Sequence, residues 1–186
     1  MGLVKDFNKE LSLWLNAHGI SNIDVCEGSD WCYYHESHCL QWGFFEAERT
    51  ENNFRQFLYE YGCKYISNNT GIMSFLHEVG HIMTLVAFDD VEMEKEFIAK
   101  DCQKSASIET NYWYWELPTE FAANLWAINW ANTHPEEIKE LEEIFERNLM
   151  AIYEDEDIMG QVYEWLARAE DGEEVSELMI DEDWEV

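Results

Sequence analysis

Between Gly71 and Phe88 the chain is apolar nearly all round: Ile72, Met73, Phe75, Leu76, Val79, Ile82, Met83, Leu85 and Val86 leave no polar face. A helix of this kind holds only where it is buried, which fixes the centre of the fold. Its middle nevertheless carries His77-Glu78-Val79-Gly80-His81. An unpaired charge is costly in such surroundings, so these side chains need partners. Four residues make little more than one helical turn, so both imidazoles project from one face and can bind one zinc ion. Glu78 then lies beside them, ready to take a proton from a metal-bound water. A chain of this composition would show the pattern by chance roughly 0.03 times. The alternative is a pair of hydrogen-bonded core histidines with a paired glutamate.

A zinc site with an open coordination position needs a third protein ligand. Downstream, Glu120-Phe-Ala-Ala-Asn124-Leu-Trp-Ala127 puts Glu120 and Asn124 one turn apart at the start of the next long apolar helix. Glu120 is the expected third ligand, and Asn124 is expected to hydrogen-bond the remaining ring nitrogen of a liganding histidine. Glu116 competes with Glu120 but precedes Pro118, outside the helix. The bland reading of the pair is an N-terminal helix charge and a polar residue on an exposed stripe.

Around this centre the spacing predicts an amphipathic helix over 3–18, carried by Val4, Phe7, Leu11, Leu13, Trp14 and Leu15 and stopped at His18-Gly19. Short antiparallel strands are expected near 22–27, 31–35 and 39–45, where β-branched and aromatic residues alternate with turn residues. Helices are expected over 50–61, 71–88, Pro118 to about Ala131, 135–152 and about 155–169, with a partly ordered tail from Asp171. The reading is one α+β unit: an N-terminal helix, sheet and helix over 1–70, metal-binding helices over 71–134, and an acidic helical region over 135–186.

Composition narrows the function classes. The 186 residues are 47% apolar and 15% aromatic, enough to fill a core and to exclude wholesale disorder. A formal charge of −29 repels nucleic-acid phosphates and anionic membrane surfaces. From Pro135 to Val186, 20 acidic residues stand against 3 basic ones, so −17 of that charge lies in the C-terminal third. The longest apolar stretches fall far short of the roughly 20 residues of a membrane span. The charged start Met1–Glu10 does not read as an export signal, so a cytoplasmic protein with reduced thiols is expected from its five cysteines. Cys26, Cys32, His35, His38 and Cys39 match no common metal-ligand spacing and read as core and edge residues of the strands.

His77-Glu-Val-Gly-His81 followed by Glu120-Phe-Ala-Ala-Asn-Leu-Trp-Ala127 resembles the ImmA/IrrE-like metallopeptidases, small gluzincins with the patterns H-E-x-G-H and E-x-x-A-N-x-[FW]-A. The resemblance covers about 74–127 and implies a zincin-like fold, in which a small sheet accompanies an active-site helix crossed by a glutamate helix. It also implies that His77, His81 and Glu120 ligate Zn²⁺, that Glu78 is the general base, and that Gly80 permits close helix packing. The interval from His81 to Glu120 is longer than the family pattern, with a charged insertion around Asp89 to Thr110, and no helix-turn-helix domain is expected among these 186 residues. The resemblance implies zinc-dependent hydrolysis of a peptide bond in a cytosolic protein or peptide substrate, and the acidic surface is suited to recruiting a basic one. Tyr112, Tyr114 and His134 flank the glutamate helix as candidate oxyanion partners, with none preferred. The competing class is an acidic mimic of DNA or inhibitor that occupies a basic nucleic-acid-binding protein, of the anti-restriction or anti-CRISPR type, through the C-terminal acidic region, with a non-catalytic or vestigial zinc site.

Overall fold

A computed structural model describes residues 2–28, 30–43, 48–65, 71–89, 92–93, 95–96, 114–115 and 117–170, with the side chains of 48–53, 165–166 and 169–170 excepted. Among these residues the fold is α+β, with six α-helices and a three-stranded sheet. The helices are α1 (Leu3–Ala17), α2 (Glu48–Glu60), α3 (Gly71–Thr84), α4 (Pro118–Thr133), α5 (Pro135–Glu154) and α6 (Glu156–Glu170). The strands are β1 (Asp24–Gly28), β2 (Cys32–Tyr34) and β3 (Cys39–Gly43). Two compact units divide the chain, one from residues 1–45 with 139–186 and one from 46–138. Glu116, Tyr112, Cys102, most of the charged insertion and the tail from Asp171 lie outside the described residues.

In the first unit, α1 buries Val4, Phe7, Leu11, Trp14 and Leu15 along one stripe. Leu13, expected in that stripe, is exposed, because two residues from Leu11 turn it to the far side of the helix. Phe7 packs edge-on against Trp42 at 4.9 Å and Phe145 at 5.3 Å. The Trp42 indole N–H donates to Asn8 Oδ1 at 2.5 Å, so the one polar atom of that large buried side chain is satisfied. Asp155 starts α6 by accepting from the Asp157 and Ile158 backbone N–H groups. The part of α5 in this unit divides as amphipathicity requires: Leu141, Phe145, Leu149 and Ile152 are buried, while Glu140, Glu142, Glu143 and Glu146 face solvent.

The sheet is mixed rather than antiparallel, with order β1-β3-β2. A β2–β3 hairpin places β3 in the centre, and β1 pairs with β3 in parallel, Cys26 opposite Gln41 and Gly28 opposite Gly43. Gly28 and Cys32 therefore stand on strands at opposite sides of β3. Spanning two strand spacings takes about 10 Å, within reach of four residue steps. The Gln41 side-chain amide donates to the Asp30 carbonyl at 2.9 Å and stands where a Cβ on residue 28 would lie, so a side chain there would have to displace that flexible amide.

In the second unit, α3 and α4 pack against each other in antiparallel register, with His77 against Asn124, Gly80 against Ala123 and His81 against Glu120. The buried positions of α4 (Glu120, Ala123, Asn124, Ala127, Ile128, Ala131) recur every three or four residues and form one face, kept shallow by alanines. Residues 72–81 of α3 are all buried, as expected. The helix nonetheless ends at Thr84 and tightens into a 3₁₀ turn over Leu85–Ala87, where Val86 is 85% exposed. The physical reason lies in the register: α4 begins at Pro118, so the residues of α3 beyond His81 run past its first turn. Among the described residues no helix is long and apolar enough to cross a membrane.

Candidate metal centre

The three side chains that the two motifs contribute meet at one point. His77 Nε2 lies 3.1 Å from His81 Nε2 and 3.0 Å from Glu120 Oε2, and His81 Nε2 lies 3.5 Å from the same oxygen. Four-residue spacing on α3 supplies the two imidazoles. The first turn of α4 supplies the carboxylate, and the close α3–α4 approach brings it across. All three side chains are buried, Glu120 to 1% exposure. This buried group could hold a metal ion.

Asn124, fully buried one turn beyond Glu120, accepts from His77 Nδ1–H through Oδ1 at 2.8 Å. That bond assigns the proton to Nδ1 and leaves the Nε2 lone pair directed at the other two donor atoms. Neither Glu120 nor Asn124 stands on an exposed stripe, because the face of α4 that carries them is the face that α3 covers. Glu78 is buried as well, with Oε1 3.8 Å from His77 Nε2: too far for a hydrogen bond, and beside the donor triangle.

The electrostatics follow from burial set against neighbours. Desolvation works against ionising Glu120, but the hydrogen bonds from His77 and His81 and their charges outweigh it and hold the carboxyl well below its usual range. For His77, burial favours the neutral ring. The hydrogen bond to Glu120, the nearby Glu78 and Glu120 charges and the Asn124 contact more than offset it and raise the pKa above 6.5. Its neighbours therefore make His77 hold a proton more readily than an ordinary imidazole does.

Two contributions were not visible in the motifs. Glu96, in the charged insertion, is buried against the start of α4 and accepts from the Thr119 backbone N–H at 3.0 Å and from the Thr119 hydroxyl. Leu117 at the N-cap offers no side-chain acceptor, so this carboxylate caps the helix from outside and adds negative charge at its positive end. No periodicity marks residue 96; a leucine at an N-cap position was the one available sign that a remote cap was needed. Phe54 and Trp115 stack at 4.9 Å and form an aromatic wall, their rings 6.2 and 5.9 Å from that of His77.

Tyr114 adjoins that wall through Trp115. His134 stacks on Trp130 at the opposite end of α4, fourteen residues from Glu120 and so about 20 Å along the axis, away from the donor triangle. In the sheet, Cys26, Cys32 and Cys39 are reduced thiols, while His35 and His38 stand together in the β2–β3 turn, and His38 Nδ1 pairs with the Tyr33 hydroxyl at 3.1 Å. Among the described residues the only metal-type group of three is His77, His81 and Glu120. No known protein family, curated protein or solved structure matches the chain.

Proposed function

We propose that the chain is a zinc-dependent metallopeptidase of zincin type, with His77, His81 and Glu120 as the zinc ligands and Glu78 as the general base. One observation carries this reading: the donor triangle has edges of 3.0, 3.1 and 3.5 Å. Ligands about 2.0–2.1 Å from a tetrahedral ion would be separated by about 3.3 Å, so the spacing of His77, His81 and Glu120 fits residues that would hold zinc together. Two nitrogens and one carboxylate oxygen are also the donor set that zinc takes in hydrolytic sites. The two-motif resemblance to ImmA/IrrE-like metallopeptidases supports the same assignment.

When bound, zinc supplies Lewis-acid polarisation of a scissile carbonyl and of the attacking water. The chain's own residues do the rest. Asn124 fixes the His77 tautomer so that Nε2 faces inward. Glu78, buried and beside that nitrogen, accepts the proton of the attacking water and returns it to the leaving amine. The substrate class is a protein or peptide, and the charge of −29 favours encounters with basic segments.

The test is metal content by elemental mass spectrometry on protein purified without chelator, coupled to cleavage of a mixed peptide library. Wild type is expected to hold one zinc per chain and to cleave; Glu78→Gln is expected to keep the zinc and lose cleavage. Retained cleavage in Glu78→Gln removes Glu78 as the base, and a metal-free wild type after zinc is supplied removes the site.

A further inference from the structure

The sheet carries a second group of reactive side chains, unrelated to the donor triangle. Cys26 on β1 and Cys32 on β2 both stand opposite Gln41 on β3, and Cys39 is two residues from Gln41 on the same strand. Residues opposite one another across a ladder share a face, as do residues two apart on a strand, so all three thiols project from one side of the sheet. Tyr34, opposite Cys39, stands among them. Burial first, and then Cys32, Cys26 and Cys39, push its hydroxyl above the ordinary range, which marks the three thiols as its neighbours. Within this group Cys26 Sγ and Cys39 Sγ are 2.8 Å apart. A disulfide holds its sulfurs about 2.05 Å apart, so closing the bond moves them by less than about 1 Å.

Two uses of clustered thiols compete. A metal site needs at least three donors converging on one point, and the thiols do not form such a group. The close contact is pairwise, which favours two-electron chemistry over coordination. Both members of the pair are only partly buried, within reach of a small reagent, whereas Cys63 is buried and its thiol is pushed up by that burial.

We propose that Cys26 and Cys39 are a redox-active dithiol, oxidised to an intramolecular disulfide by a low-molecular-weight disulfide of the glutathione type. One protein thiolate attacks a sulfur of the reagent and expels one reagent thiolate, leaving a mixed disulfide. The second protein thiolate then attacks the protein sulfur of that mixed disulfide and expels the other reagent thiolate. The two protein sulfurs lose two electrons, the reagent gains them, and the two thiol protons end on the two released reagent thiols. The product ties β1 to β3, the parallel pair of the sheet.

The experiment treats the full reduced chain with glutathione disulfide under native conditions, quenches with an alkylating agent, and maps the peptides by mass spectrometry. Loss of two of the five thiols, a mass lower by two hydrogens and a Cys26–Cys39 linked peptide are expected. Cys32→Ser is expected to form the same link at the wild-type rate, and Cys39→Ser to stop at a glutathione adduct on Cys26. A link through Cys32 or Cys102, stable glutathione adducts in place of an internal link, or a pair no faster to react than Cys63 overturns the proposal. Because the wild-type map needs no variant, misfolding of a serine substitution does not protect it.

Discussion

Gly80 meets the backbone of Ala123 so closely that no side chain fits between α3 and α4: a Cβ at residue 80 would overlap the Ala123 carbonyl oxygen and stand 2.9 Å from its Cα. The contact lies between His77 and His81 on one helix and beside Glu120 and Asn124 on the other, so it sets how near the carboxylate comes to the imidazoles. Backbone cannot give way as a flexible side chain can. Gly80→Ala is therefore expected to cost about 1–3 kcal/mol by overpacking. It should also weaken metal binding by moving Glu120 off the triangle. Urea unfolding reads the first effect and competition with a chelating dye the second; an unchanged metal affinity would separate the helix contact from the site.

Asn124 provides a different lever, acting on the tautomer and leaving the position alone. Asn124→Ala strips the acceptor from His77 Nδ1–H, frees the ring to choose the other tautomer, and is expected to lower metal affinity by about 10- to 100-fold. The stranded donor should cost about 1–3 kcal/mol of stability. Asn124→Asp keeps an acceptor and is expected to recover most of the affinity. Chelator competition on the three proteins checks the order, and equal affinity in the alanine variant would show that the hydrogen bond does not tune the ligand.

How much of this was legible in the sequence depends on whether the signal was local. The i, i+4 histidines, Pro118 at the first turn of α4 and the periodic stripe of α1 are written in neighbouring residues, and the observed elements begin and end close to where those signals fall. The parallel pairing of β1 with β3 is not local. Three strands with short turns read as a meander, and the parallel register that sets β1 beside β3, Cys26 opposite Gln41, is a pairing between segments that are not neighbours in the chain. Likewise the exposure of Val86 depends on where a helix thirty residues later begins. Glu120 and Asn124 could be proposed from spacing, but their burial needed the partner helix.

Glu96 was hidden for the same reason, and its role can be measured. Glu96→Ala removes the acceptor of the Thr119 N–H and hydroxyl and leaves the first turn of α4 without a cap. A loss of about 1–2 kcal/mol is expected, with a smaller loss for Glu96→Gln, which keeps one carbonyl oxygen. Glu120 follows Thr119 directly, so metal affinity should fall in parallel. Thermal unfolding with and without zinc separates the two: a drop confined to the zinc-loaded protein would mean that Glu96 acts on the site alone.

A metal held by the donor triangle would compete with the His77 proton, so pH should reveal the site. In the metal-free chain His77 has its pKa raised above 6.5 through Glu120, Glu78 and Asn124, against its own burial. The stability this adds is fully present below about pH 6.5 and is lost as pH rises through the folded value. Glu120 is shifted the other way, so its contribution is present above about pH 4.5 and is lost only as pH falls through its depressed folded value. The metal-free protein thus draws most from the His77–Glu120 pair between those limits. Metal binding needs neutral imidazoles, so it displaces the His77 proton, and affinity should climb with pH until that raised pKa is passed. Zinc at 100 times its Kd adds about 2.7 kcal/mol. The difference in melting temperature between zinc-loaded and chelator-treated protein should therefore widen from about pH 5 to about pH 8, the range of histidine titration. Binding enthalpies in buffers of different ionisation heat should show proton release at the lower end. A gap that is constant across this range, with no proton released, would mean that His77 does not ligate the metal.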